Sequence, residues 1–193
     1  MEFSSAKDQV TATLVTRPGL GETVGAGGVY TVTCVGADGV EKWADTFHNL
    51  VVNQGLANMN GVYFAGTTQV TTWYLGLITG PGSGTTFSAT DTLASHGSTG
   101  SGGWTENADY TGSRKAVTFG SATSANPSVI TNSASPSSFV MTGTATIAGA
   151  FLASVSSGTS GILFSAGDFT GGDKSVASGD TLNVTYTFSL TAT

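Results

Sequence analysis

Two histidines stand close to carboxylates in this chain: His48 follows Asp45, and His96 follows Asp91. An aspartate, an imidazole and a hydroxyl in mutual hydrogen-bond reach would make a hydrolytic triad. Serine is so frequent here that some Ser/His/Asp combination arises by chance, and no Gly-x-Ser-x-Gly strand–turn–helix motif frames one. Bracing a loop is therefore the favoured role for both histidines. Zinc would need more histidines, or partners for the single Cys34. Asp168, Asp173 and Asp180 supply the oxygen ligands that Ca²⁺ prefers, but their spacing is not that of an EF-hand and Lys174 sits among them. Aspartates that bond locally to turn backbone are the simpler account. Gly25-Ala26-Gly27-Gly28 lacks the following helix and the lysine of a phosphate loop. Glu106 and Asp109 could flank a sugar as glycosidase carboxylates do, and Trp104 with Tyr110 could form a stacking platform for a glycan. Aromatic side chains more often enter a core. The chain reads as a non-enzyme, with no cofactor and no metal expected.

Composition narrows the classes further. Charged residues make up 9% of the 193 residues, against roughly 25% in ordinary soluble proteins. Disordered chains are also poor in aromatic and β-branched residues, whereas this one carries Trp43, Trp73, Trp104 and ten phenylalanines. Repeated Val/Ile/Thr runs between glycines point to a folded all-β protein. Six basic against twelve acidic side chains give a net charge of −6, which argues against nucleic-acid binding, since phosphates need clustered Lys and Arg. A lone cysteine excludes an intrachain disulfide. No apolar run approaches the ~20 residues of a membrane span. The N-terminal residues lack a signal-peptide pattern, so the expectation is retention in the cytoplasm until assembly.

The elements that must position these residues are strands. Residues 182–192 alternate Leu182, Val184, Tyr186, Phe188, Leu190 and Ala192 against Asn183, Thr185, Thr187, Ser189 and Thr191. Side chains on a strand point to opposite faces with period two, so one face is apolar and the other polar without charge. Exposed sheet surface is usually blunted with charge; an uncharged face suggests a packing surface, either between two sheets or between protomers. Further strands are expected at residues 9–16, 29–35, 40–47, 71–78, 116–119, 128–131, 139–147, 148–155 and 162–164. The Asp38-Gly39 pair marks a hairpin. Residues 18–28 and 79–103 read as long glycine-rich loops. One helix is expected near residues 50–60, capped by Asn49 or Asn53 and stopped at Gly61. The sum is a β-sandwich or jelly roll of about nine strands in a single domain, with residues 1–48 a possible separate hairpin unit or arm.

Three stretches in order carry a resemblance. They are Glu41-Lys42-Trp43-Ala44-Asp45-Thr46-Phe47-His48-Asn49-Leu50, then Trp73-Tyr74-Leu75-Gly76-Leu77, then Thr90-Asp91-Thr92-Leu93-Ala94-Ser95-His96 leading to Gly103-Trp104-Thr105-Glu106. With Tyr110, Arg114, Gly149-Ala150-Phe151-Leu152 and the ending Ser178-Gly179-Asp180-Thr181-Leu182, they resemble small virion structural proteins of tailed bacteriophages. The spacing departs at residues 97–102, which look like an insertion. The resemblance brings no catalytic residues. It implies a decoration (cement) protein on the outside of an icosahedral capsid, contacting the major capsid protein and its own copies, with a homotrimer favoured at threefold sites. Trp104, Glu106, Tyr110 and Arg114, with Asn183, Thr185, Thr187 and Ser189, are the candidate interface. A tail or neck component and a host-glycan (receptor) binding module are the alternatives. The glycan module would need Trp104 and Tyr110 exposed.

Overall fold

A computed structural model of the chain describes residues 24–80, 86–96 and 104–192. Strand β1 (Val24–Val35) turns into β2 (Glu41–His48). The turn is set by Gly39, whose φ of +80° disfavours any side chain, and by the Val40 amide donating to the Asp38 carboxylate at 3.0 Å. A short β3 (Leu50–Val51) leads into helix α1 (Asn53–Phe64), then β4 (Tyr74–Thr79). Helix α2 (Leu93–His96) precedes β5 (Thr105–Asn107) and β6 (Lys115–Ala116). Six more strands follow: β7 (Ser128–Thr131), β8 (Ser137–Val140), β9 (Ala145–Ala153), β10 (Leu163–Asp168), β11 (Lys174–Val176) and β12 (Thr181–Ala192).

These form two antiparallel sheets, an all-β sandwich. The first runs β2-β1-β12-β7, with β8 also paired to β12. The second runs β3-β10-β9-β4-β5, with β11 on β9 and β6 on β4. Tyr30, Val32 and Cys34 of β1 and Leu182, Val184 and Tyr186 of β12 face Leu75, Leu77, Ala150 and Leu152 of the second sheet. The second sheet is covered on its far side too. There Ile78, Phe151, Ala153 and Leu163 pack under Val52, Leu93 and Trp104. That double cover explains why β9 and β10 are buried almost without alternation.

Several expectations change. The hairpin of residues 24–48 is no separate unit: β1 pairs with β12 along its whole length, from Val24 opposite Ala192 to Val35 opposite Thr181. Residues 24–28 are strand rather than loop, and the strand expected at residues 9–16 lies outside the described residues. Leu50 and Val51 pair with β10, so the helix starts later than expected. Neither asparagine caps it: Val52 holds the N-cap position without a side-chain bond. Asn49 is used elsewhere, accepting from the Gly28 amide at 2.7 Å and donating to the Tyr186 hydroxyl at 2.9 Å. Gly61 lies inside the helix, and Gly66, with φ +65°, follows its end as the left-handed residue. The stretch expected as one strand at residues 139–147 is broken, because Met141 leaves β8 to bridge Tyr110. Twelve strands and two helices stand among the described residues.

Candidate functional site

The two carboxylate–histidine pairs have opposite fates. On β2, Asp45 and His48 are an odd number of residues apart, so they leave opposite faces of the strand. Asp45 turns inward, accepts from the Thr170 and Gly171 amides at 3.2 Å each, and lies 3.5 Å from Lys174. Asp91 and His96 do meet. The short α2 brings His96 Nε2 within 2.9 Å of Asp91 Oδ1, while Asp91 Oδ2 accepts from the Ser88 amide at 2.9 Å and from Trp104 Nε1 at 3.2 Å. His96 Nδ1 lies 3.2 Å from the Trp104 carbonyl. Both ring nitrogens thus face oxygen acceptors, and the pair is buried. The arrangement locks residues 88–96 onto Trp104.

Trp104, Tyr110 and Arg114 are all interior residues, 3%, 6% and 4% exposed. The exposed aromatic platform is therefore corrected: Trp104 packs on Phe151, and Tyr110 sits edge-on to Phe139 at 4.8 Å. Burial raises the Tyr110 phenol pKa above its ordinary value, with Glu106 adding to the rise. Arg114 donates through Nε and Nη2 to the two oxygens of Glu106 at 2.8 and 2.6 Å. It also donates to the carbonyls of Val155 and Gly158 at 3.1 and 2.9 Å, and its guanidinium lies 5.1 Å from the Phe151 ring centre. Glu106 is spent on this clamp. Asp109 instead accepts from the Asn107 amide nitrogen Nδ2 at 3.1 Å.

The three carboxylates considered for Ca²⁺ are also divided. Asp180 takes Lys42 at 2.7 Å and the Ala177 amide at 2.8 Å, and the Lys42 bond holds its carboxyl below the ordinary range. Asp168 is raised, chiefly by burial. Among the described residues no group of three or more His, Cys, Asp or Glu is placed to hold a metal ion. No helix among them is long and apolar enough to cross a membrane.

The other half of the candidate interface forms a surface. Asn183, Thr185, Thr187 and Ser189 lie on the outer face of the first sheet, half-exposed, while the opposite face of β12 meets the second sheet. Register aligns them in rows, because residues paired across antiparallel strands share a face. Thr31 sits between Thr46 and Thr185. Asn183 sits between Thr33 and Ser138, and Thr187 between Val29 and Thr131. Hydroxyls bond along the rows: Thr31 with Thr46 at 3.1 Å, and Thr187 to Thr131 at 2.9 Å. None of these positions is Asp, Glu, Lys or Arg. Thr31, Thr33, Thr46, Thr131 and Ser138 were absent from the sequence-derived interface. Alternation within residues 29–35 is the sequence signal that places Thr31 and Thr33 on one face, but only the register joins them to β12. The chain matches no protein-family model, no curated protein and no solved structure.

Proposed function

We propose that this chain is a structural virion protein that decorates the outside of an icosahedral bacteriophage capsid through protein–protein contacts. The resemblance of its residue pattern to small phage virion proteins suggests the class. The observation that carries the reading is the outer face of the first sheet, where threonine, serine and asparagine recur in rows across β2, β1, β12 and the β7/β8 flank, interspersed with Val29, Ala44 and His48 and with the charge of Glu41 confined to the β1–β2 turn end. A face built only for solvent is normally broken by Lys and Glu. A flat hydroxyl face can be covered by another protein without stripping water from charges, the costliest part of burying polar surface. The major capsid protein and further copies of the chain, as a homotrimer, are the partners proposed. A glycan-binding module is not favoured, because Trp104 and Tyr110 offer no ring to a ligand.

The test uses heads assembled with and without this protein, and the double variant Thr31→Lys/Thr185→Lys. Heads lacking the protein should form but rupture sooner under heat or chelation. The double variant should keep its melting temperature to within a few degrees yet lose capsid occupancy at least tenfold. Equal robustness without the protein, or full occupancy by the lysine variant, sinks the proposal. Density for the protein at the neck or tail in a virion map sinks it as well.

A further inference from the structure

Three long stretches of this chain carry no charge. No Asp, Glu, Lys or Arg occurs between Asp45 and Asp91, between Lys115 and Asp168, or after Asp180. The three come together around a groove of about 440 Å³. Phe188 and Leu190 of β12 line it, with Leu152 of β9, Phe164 of β10, and Met59 and Val62 of α1. No lining residue is charged. At its border the last turn of α1 carries Tyr63 and Phe64, 86% and 85% exposed, with ring centres 5.9 Å apart. Leu56, 40% exposed, precedes them by two turns on the same stripe of the helix. A contiguous apolar patch of this kind marks an interaction site.

We infer that a second copy of this chain covers the patch, seating its own Tyr63 and Phe64 in the groove. Electrostatics is the first argument. Two chains of net charge −6 repel one another. A surface built from the uncharged stretches lets them meet without opposing like charges or stripping water from them. Fit is the second. A groove of about 440 Å³ is well above the roughly 150 Å³ that holds one benzene ring, so it has room for two. Area is the third. Two exposed rings bring roughly 350 Å² to a contact, and the groove walls lose a comparable area. Each copy carries both halves, as a closed cyclic assembly such as the proposed homotrimer requires. In such a ring every copy loses roughly 700 Å², near the ~800 Å² per partner of a stable interface. The inference rests on the self-association proposed above and gives it a surface, leaving the threonine face to the capsid.

The experiment is sedimentation equilibrium of the full chain without heads. Wild type should sediment above the monomer mass at tens of micromolar. The double variant Tyr63→Asp/Phe64→Asp should weaken association at least a hundredfold and keep its melting temperature, because both side chains face water in the single chain. Thr31→Lys/Thr185→Lys should associate as wild type does. A monomeric wild type, an aspartate variant that still associates, or a lysine variant that falls apart would each overturn the inference. Position is checked with p-benzoylphenylalanine at position 64 in a mixture of heavy- and light-isotope chains. Mixed adducts at Trp73, Phe188 or Leu190 are expected; adducts confined to one chain, or outside the groove, also overturn it. Capsid occupancy is not read in either assay, so failure here and failure of capsid decoration are told apart.

Discussion

The His96 imidazole lies flat on the Trp104 indole, with ring centres 4.6 Å apart and planes 10° apart. Asp91 bonds to both rings at once. Removing that carboxylate leaves buried donors without an acceptor, at about 1–3 kcal/mol for each group left unpaired. Asp91→Ala should lower the urea midpoint sharply. Trp104→Phe, which keeps a ring on His96 and Phe151 but loses the N–H, should cost less than Trp104→Ala, for which about 3–5 kcal/mol is expected. Ala94→Ser, on the exposed side of α2, is the control.

Arg114 is a planar fork that meets one carboxylate and two carbonyls. A lysine ammonium reaches at most one of these geometries. Arg114→Lys should therefore destabilise by losing the carbonyl contacts and the bidentate fork, and Arg114→Met more, since it strands Glu106, at about 3–5 kcal/mol for a broken buried pair. Glu106→Gln, which keeps acceptor and shape, should fall between them and wild type in chemical denaturation.

A single methyl group tests the close approach of β9 to β10. A Cβ at Gly149 would run into the Gly167 carbonyl and the Asp168 backbone. Neither is the movable end of a side chain, so Gly149→Ala should prevent soluble expression or lower the melting temperature by more than 10 °C. Gly143→Ala, with open space around it, should be neutral in the same thermal scan.

Lys42 and Asp180 give the fold a dependence on pH. The Lys42 bond lowers the Asp180 carboxyl and the Asp180 bond raises the Lys42 ammonium. The depressed acid contributes stability above its unfolded value of about 3.9, lost as pH falls through the folded value. The raised base contributes below its unfolded value of about 10.4, lost as pH rises through the folded value. The stability gap between wild type and Lys42→Met should therefore be widest between those limits and close toward either end. A pH series of urea melts measures it.

Cys34 is buried and its thiol is pushed up to about 11, by burial first and then by the Asp180 charge. The native protein should ignore a thiol-reactive dye at pH 8 for hours and take up one equivalent once unfolded in urea. Rapid labelling of folded protein would contradict the buried position.

Legibility from sequence followed the number of covered faces. Strand β12 announces itself because one face meets the core and the other meets water, so Leu182 through Ala192 alternate. In β9 both faces are covered, and Ile147 through Ala153 give no period to read. Strands β5 and β6 hold three and two residues; pairing with β4 creates them, not local preference. The helix slipped because Leu50 and Val51 suit either a helix or a strand, and only β10 decides. Trp104 and Tyr110 were ambiguous for a similar reason: an aromatic ring fits a glycan platform and a core equally well until its neighbours are known.

The placement of β12 between β1 and the β7/β8 flank has a consequence in time. Ser189 and Gly27, adjacent across that seam, are 162 positions apart in the chain. At roughly 5–20 residues per second, a ribosome needs on the order of ten to thirty seconds to make the intervening stretch. Throughout that interval the β1–β2 hairpin can form, but the inner edge of β1 has no neighbour to hydrogen-bond. A bare strand edge recruits whatever strand arrives first. The yield of native protein is thus set by a race between delivery of β12 and mispairing of β1, and slower translation should favour the wrong partner.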